Sequence, residues 1–452
     1  MKLLTNFRYI CTTSVLKILN GYKAGGTVNF FRMHFKKTLY IILFLVSLSA
    51  KASFVLLPMD PETQQNHLKA YGITYWALEK QYKVSWLLNY RGGSFLLPDA
   101  PEIRKECQIR GVSFEVLSDG VANGILEEIS SPSQNMETVV LEKAPKIAVY
   151  TPKGKQPWDD AVTLVLTYAE IPFTPIYDEE VLNDALLLYD WLHLHHEDFT
   201  GQYGKFFGAY RNAPWYIEQK KDAEALATKL GYSKVSQEKL AVAQKIRNFV
   251  IGGGFMFAMC SATDSFDIAL SAEGVDICES MFDGDPSDAN YQTKIDYNNT
   301  FAFKDFTLER NPVAYEFSNI DVTNTRKVLP DVDYFTLMEY SAKWDPIPSM
   351  LCQNHTQLVK GFMGQSTAFD TDLIKSNILI MGENKQNGEA RYIHGTKGKG
   401  MFTFYGGHDP EDYKHQVGDP PTVLDLHPNS PGYRLILNNV LFPAARKKKL
   451  KT

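Results

Sequence analysis

The chain has 452 residues, of which 44% are hydrophobic and 22% charged, with a formal net charge of −5. This is an ordinary globular composition, long enough for two or three domains. Five cysteines in such a length exclude a disulfide scaffold, and the acidic balance gives no overall signal for a nucleic-acid partner.

Residues 1–52 read as an upstream extension followed by a secretory signal. Lys36 and Lys37 form a positive n-region, and residues 39–48 are an apolar stretch too short to span a bilayer. Ala50 and Ala52 give a small-x-small cleavage pattern, so Ser53 is the expected first mature residue. The expectation is a periplasmic or secreted protein with no transmembrane segment after cleavage. Cys11 lies upstream, which leaves Cys107, Cys260, Cys278 and Cys352 with room for one or two bridges whose pairing the sequence does not assign.

Residues 53–136 form an N-terminal α/β segment. FVLLPMD is strand-like, and Leu68, Tyr71, Tyr75, Leu78 and Tyr82 recur at helical spacing. KVSWLLNY and SFLLP read as strands around a turn at Arg91, Gly92 and Gly93. Pro101 opens a helix that Gly111 ends, VSFEVL is a further strand, and residues 130–138 read as a linker.

Residues 145–445 alternate strand and helix, which implies a parallel sheet. KIAVYTP, FTPIYD and YDWLHLHH are strands, residues 157–169 and 237–250 are helices, and residues 255–259 are a buried strand running into a helix. Residues 280–370 are a loop-rich insertion placed to cover the carboxyl rim, where ligands of such sheets bind. Strand-like stretches at 377–382, 390–394 and 400–405 and a helix near 433–441 close the fold, and residues 446–452 are a basic tail. The fold expected is an α/β parallel-sheet three-layer sandwich.

Cys260 is the first candidate for chemistry. It stands between a strand and a helix with small residues, Ala258 and Ala262, on either side, as a nucleophile elbow requires. A helix N-terminus favours a thiolate; the alternatives are a buried structural cysteine or a disulfide with Cys278. His408, in FYGGHDPE, is the candidate base, with Asp409, Glu411 or Asp412 to orient it. In LHLHHEDFTG, alternation sends His193 and His195 to one side of a strand and Leu192, Leu194 and His196 to the other. The spacing matches no usual zinc pattern, so the expectation is no metal and no cofactor. His195, His196, Glu197, Asp198 and Asp264 are instead expected to contact ligand. Asp283, Asp285 and Asp288 read as an acidic turn.

The order of strand, helix, Cys260 elbow and late strand ending GGHDPE resembles the type 1 glutamine amidotransferase-like fold over about residues 145–445. KGKGMFTFYGGHDPE is similar to the ThuA-like branch of that superfamily, which often lacks the nucleophile. The resemblance implies Cys260 as nucleophile, His408 as base and Glu411 as the orienting acid. Family elbows carry Gly flanks where this chain has Ala258 and Ala262, and the family acid lies two residues after the histidine, not three. LKAYGITYWALE, LNYRGGSFLLP, YDWLHLHHEDFTGQYGKF and GGGFMFAMCSATDSFDIA resemble a secreted Bacteroidota family labelled asparagine synthetase B, although the Ser-Gly-Gly-x-Asp-Ser pyrophosphate loop of such enzymes is absent. The expected function is a thiol-dependent amidase or hydrolase acting on a small amide- or peptide-like ligand. The alternatives are a non-catalytic sugar- or peptide-binding module on the same fold, and the glutamine-hydrolysing synthetase of the label.

Overall fold

A computed structural model describes residues 52–153 and 156–445. The extension and signal up to residue 51, and the basic tail 446–452, lie outside the described residues.

The first sheet contains β1 (Ala52–Leu57), β2 (Val84–Leu88), β3 (Ser94–Pro98), β4 (Glu115–Ser118) and β5 (Glu137–Leu141), in the order β4-β1-β3-β2-β5. The pairs β1/β3, β2/β3 and β2/β5 are antiparallel. The β2–β3 turn needs left-handed backbone at Arg91, Gly92 and Gly93 (φ 46°, 73° and 88°), which is why two glycines sit there. Alternation divides the strands: Val55, Leu57, Trp86, Leu88, Phe95 and Leu97 face the helix His67–Glu79, while Leu56, Leu87 and Leu96 face the helix Asp119–Ser130. Asn66 caps the first of these helices, its side chain accepting from the Lys69 N–H. The expected linker at 130–138 is a short turn that runs into β5, whose Val139 and Leu141 need the same core.

The second sheet is built from β6 (Ile147–Tyr150), β7 (Thr174–Ile176), β8 (Trp191–His195), β9 (Phe255–Met259), β10 (Tyr334–Leu337), β11 (Leu358–Lys360), β12 (Phe369–Asp370), β13 (Leu379–Asn384), β14 (Glu389–Lys397) and β15 (Gly400–Tyr405). Its order is β11-β10-β13-β14-β15-β9-β8-β6-β7, with β12 on β14. The run β7-β6-β8-β9-β15 is parallel, and the pairs beyond β15 are antiparallel. The protein is therefore mixed α/β with a mixed sheet. The loop-rich insertion is more than a cover, because β10 and β11 extend the sheet edge.

Both faces of β6, β8 and β9 are buried, so these strands are rich in apolar residues. Val149, Trp191, Phe257, Met259 and Tyr405 share a core with the helices Ala161–Tyr168 and Pro431–Leu441. That core also holds Tyr71, Trp86 and Phe95 of the N-terminal segment, so the two segments bury one apolar interior. Tyr150, Leu192, Leu194, Met256, Ala258 and Phe404 pack on the other face against Val235–Gly252 and Ala262–Ser271.

A buried ion-pair network ties the insertion to the sheet. Asp333 accepts from Arg326 at 2.7 Å and from Arg391 of β14 at 2.8 Å, and Arg326 also reaches Glu389 at 3.0 Å. Arg391 further donates to the Phe362 carbonyl at 2.5 Å, holding the segment that leads into residues 363–367. Asp333 and Arg391 side chains are each 1% exposed. Removing one partner strands the others in an apolar interior. Asp333→Ala is expected to cost about 3–5 kcal/mol in urea unfolding. Burial opposes the charge of Asp333, but the two guanidiniums win and hold its carboxyl below the ordinary 3.8. The stability it contributes is thus complete well above pH 3.8 and lost as pH falls through the lower folded value, so the gap between wild type and Asp333→Asn should close only in acid.

Candidate functional site

Register brings three strand ends together. His195 of β8 pairs with Met259 of β9, which pairs with Tyr405 of β15. The next residues, His196, Cys260 and Gly406, therefore leave the sheet side by side at its carboxyl rim. Backbone strain marks two of them, with φ 27° at His196 and φ 53° at Cys260, both left-handed positions for non-glycine residues.

The left-handed turn at His196 overturns the simple alternation. Its ring turns to the same place as that of His195, with centroids 4.4 Å apart. His408 joins them from the end of β15, 4.6 Å from His195 and 5.5 Å from His196. Gly407, at φ 98°, supplies the bend that delivers it. His415 stacks on the far side of His408 at 4.7 Å. His193 lies below, its Nδ1 at 3.2 Å from the Phe257 carbonyl and its Nε2 at 3.2 Å from Asp160 Oδ2. The same Asp160 oxygen lies 3.4 Å from His195 Nδ1. Asp160 is held by its other oxygen, which caps the helix Ala161–Tyr168 through the Val162 and Thr163 N–H groups.

Burial dominates the titration behaviour. It pushes His196 and His408 well below the ordinary imidazole range, so both are neutral at pH 7. Burial opposes ionisation of Asp160, yet His193 and His195 hold its carboxyl well below the usual value. His415 differs: its hydrogen bond to Asp159 leads a set of contacts that raise it to about 9, and its nitrogens lie 2.8 Å from Asp159 and 2.9 Å from Asp412.

Cys260 belongs to a different neighbourhood. Its Sγ accepts from the Gln365 N–H at 3.3 Å, and Gln365 is pinned by its side-chain donations to the Gly204 and Tyr315 carbonyls. Burial raises the thiol to about 11, against the pull of the Ser366, Gln365 and Ser261 N–H groups. Asp264 accepts from Ser366 Oγ at 2.8 Å, and burial raises it to about 7. Thr263 donates to the Cys260 carbonyl at 2.6 Å, tightening the elbow. No hydrogen bond or ring contact joins Cys260 to His408 among the described residues. Glu411 pairs with His427 at 3.1 Å rather than with His408, whose ring bonds the main chain of Asp159. Asp409 accepts from the Glu411 and Asp412 N–H groups, closing its own turn. The expected Cys260–His408–Glu411 triad is not assembled, because the sulfur is held under residues 363–367 while the imidazole is drawn into the histidine cluster. All four described cysteines are free; Cys278 donates to the Thr200 carbonyl.

His196, Glu197 and Asp198 do share a cavity of about 630 Å³. Its walls include Trp158, Tyr177, Tyr203, Phe206 and Trp215. Trp158 stacks on Phe206 at 5.2 Å and meets His196 and Trp215 edge-on. Asp198 is spent on the Thr200 hydroxyl and the Thr200 and Gly204 N–H groups. The Glu197 side chain makes no hydrogen bond among the described residues, and burial raises it to about 8. Lys239 closes one end, donating to Tyr150, Tyr177 and Asp178. A larger cavity of about 970 Å³ is lined by Gly253, Phe255, Lys399 and Gly400, at the amino ends of β9 and β15 and away from the histidines.

Asp264, buried beside Cys260, is not among the residues lining the ligand cavity. The acidic turn is neutralised from within, with Lys234 held by Asp276, Asp283 and Asp285. Sequence reasoning missed Asp159, Asp160, His415, Trp158, Trp215 and the Lys239–Asp178 pair. The one available signal was Asp160 ahead of an apolar helical run, a capping pattern that also placed an acid at the rim.

No family model and no curated protein matches this chain. Among solved structures it is similar to cytoplasmic protein STM3548 from Salmonella typhimurium, with TM-score 0.32 and 10% identity over 67% of this chain and 100% of that one. It is also similar to cytoplasmic protein STM1381 from Salmonella typhimurium LT2, with TM-score 0.33 and 15% identity over the same shares. Likeness at that level carries no argument about function.

Proposed function

We propose that the chain is a binding protein for a small sugar, held in the 630 Å³ cleft on a sandwich of the type 1 glutamine amidotransferase-like kind. The observation that carries this reading is the make-up of the cleft wall. Trp158 and Trp215 line the same cleft as a carboxyl, Glu197, that has no hydrogen-bond partner among the described residues. Apolar ring faces match the C–H faces of a pyranose, and the carboxyl and its neighbours match the hydroxyls around its edge. The cleft volume lies in the range of small-molecule sites, and its position beyond the carboxyl ends of β6 and β8 suits a sheet of this kind.

Saturable quenching of tryptophan fluorescence by at least one member of a panel of mono- and disaccharides is expected. Trp215→Ala should weaken that binding by roughly tenfold, about 1.4 kcal/mol. A panel that gives no saturable response, or a variant that binds as well as the wild type, would remove the proposal. Export belongs to the same reading: protein recovered from a periplasmic extract should begin at Ser53 on N-terminal sequencing, and a start at Met33 or Met1 overturns it.

A second reading, a thiol-dependent amidase, is favoured by one observation, the strained elbow at Cys260. The buried, protonated thiol predicts slow alkylation by iodoacetamide near neutral pH. Fast labelling of Cys260, together with amide turnover lost in Cys260→Ala, would instead bring this reading forward.

A further inference from the structure

We infer that His195, His196 and His408 form a binding site for one divalent transition-metal ion of the zinc class. One ring nitrogen from each of the three lies within 4.8 Å of the other two. His195 and His408 are 1% and 7% exposed. Nε2 of His195, Nδ1 of His196 and Nε2 of His408 are buried without a hydrogen-bond partner. Buried polar atoms are nearly always paired, and several unpaired nitrogens converging on one point need a common partner. Three imidazoles supply nitrogen donors from one side, which is the ligand set of an open three-histidine zinc site.

The surroundings supply what such a site needs beyond its ligands. A ligating histidine is ordinarily fixed through its second nitrogen by a carboxylate or a carbonyl. His195 has Asp160 at 3.4 Å from Nδ1, leaving Nε2 for the ion, and Asp160 is itself immobilised as a helix cap. His408 has the main chain of Asp159 on one side, leaving Nε2. The strained backbone at His196 is what turns two consecutive side chains to one point, a cost that a metal offsets. His196 also lines the cleft, so a fourth coordination position opens toward whatever occupies it. The proposed site departs from the expectation of no metal, drawn from local spacing, because the ligands come from two strand ends far apart in the chain.

The test uses the full mature chain, stripped with a chelator and dialysed, with Zn2+ and Co2+ as probes. Isothermal titration should give one Zn2+ per chain, and Co2+ should give the visible absorption of a four-coordinate ion with nitrogen ligands. His196→Asn and His408→Gln, checked for native circular dichroism, should each weaken Zn2+ binding by more than tenfold. Asp160→Asn should weaken it by roughly 10- to 100-fold while leaving the stoichiometry at one. A thermal shift on adding Zn2+ should appear in the wild type and in His427→Ala but not in His408→Gln. No Zn2+ binding would overturn the assignment. So would binding that survives His196→Asn and His408→Gln but falls in Asp276→Asn. Sugar binding plays no part in these readouts, so failure here leaves the cleft proposal standing, and failure there leaves this one.

Discussion

The structure depends on the register of three parallel strands. Pairing His195 with Met259 and Met259 with Tyr405 puts the ends of β8, β9 and β15 at one level. Parallel strands all finish at the same edge, so whatever residues follow them must meet there. In this chain those residues are His196, directly after His195 at the end of β8, Cys260, and a glycine pair leading to His408. The central strands β6, β8 and β9 are buried on both faces, so their rim is the place open to varied chemistry.

Strain at the rim decides which of these groups meet. A residue with φ near 27° or 53° costs on the order of 1–3 kcal/mol and persists only where packing enforces it. At His196 the strain gathers imidazoles on one side of the strand ends. At Cys260 it turns the chain sharply into the helix Ala262–Ser271, and the sulfur is covered by the Gln365 amide. The two neighbourhoods share a rim but no hydrogen bond. The thiol is buried, which favours its neutral form, while the clustered histidines hold buried nitrogens without a hydrogen-bond partner.

The insertion is what covers Cys260. Asp333, Arg326 and Arg391 anchor it through charges that hold one another in an apolar interior, and Arg391 reaches on to Phe362. From that anchor residues 363–367 pass over Cys260. Main-chain bonds from Met363, through His408, and from Ser366, through Gly407, stitch the same segment to the end of β15. One strap therefore buries the thiol and fixes the bend that delivers His408.

Much of the scaffold was legible in the amino-acid order. Runs such as FMFAM and WLHLH are too short and too apolar for anything but buried strands, and glycines marked Arg91–Gly93 and Gly407 as bends, because period and backbone freedom are local properties. Elements without a local signature escaped: the start of β5 fell in the stretch read as a linker, and the helix Pro214–Lys229 exposes most of its length and shows little apolar period. The rim residues were also legible as types, since His195 ends a strand and His196, Glu197, Cys260 and His408 follow strands. Which of them touch was not. Contact between His195 and His408 requires residues more than two hundred positions apart to be neighbours, and the left-handed turn at His196 is enforced by packing rather than by its own preference. Local sequence determined where the chain extends, coils and bends; only the tertiary structure decided that the imidazoles gather while the sulfur stands apart, because burial and register are properties of the whole sheet.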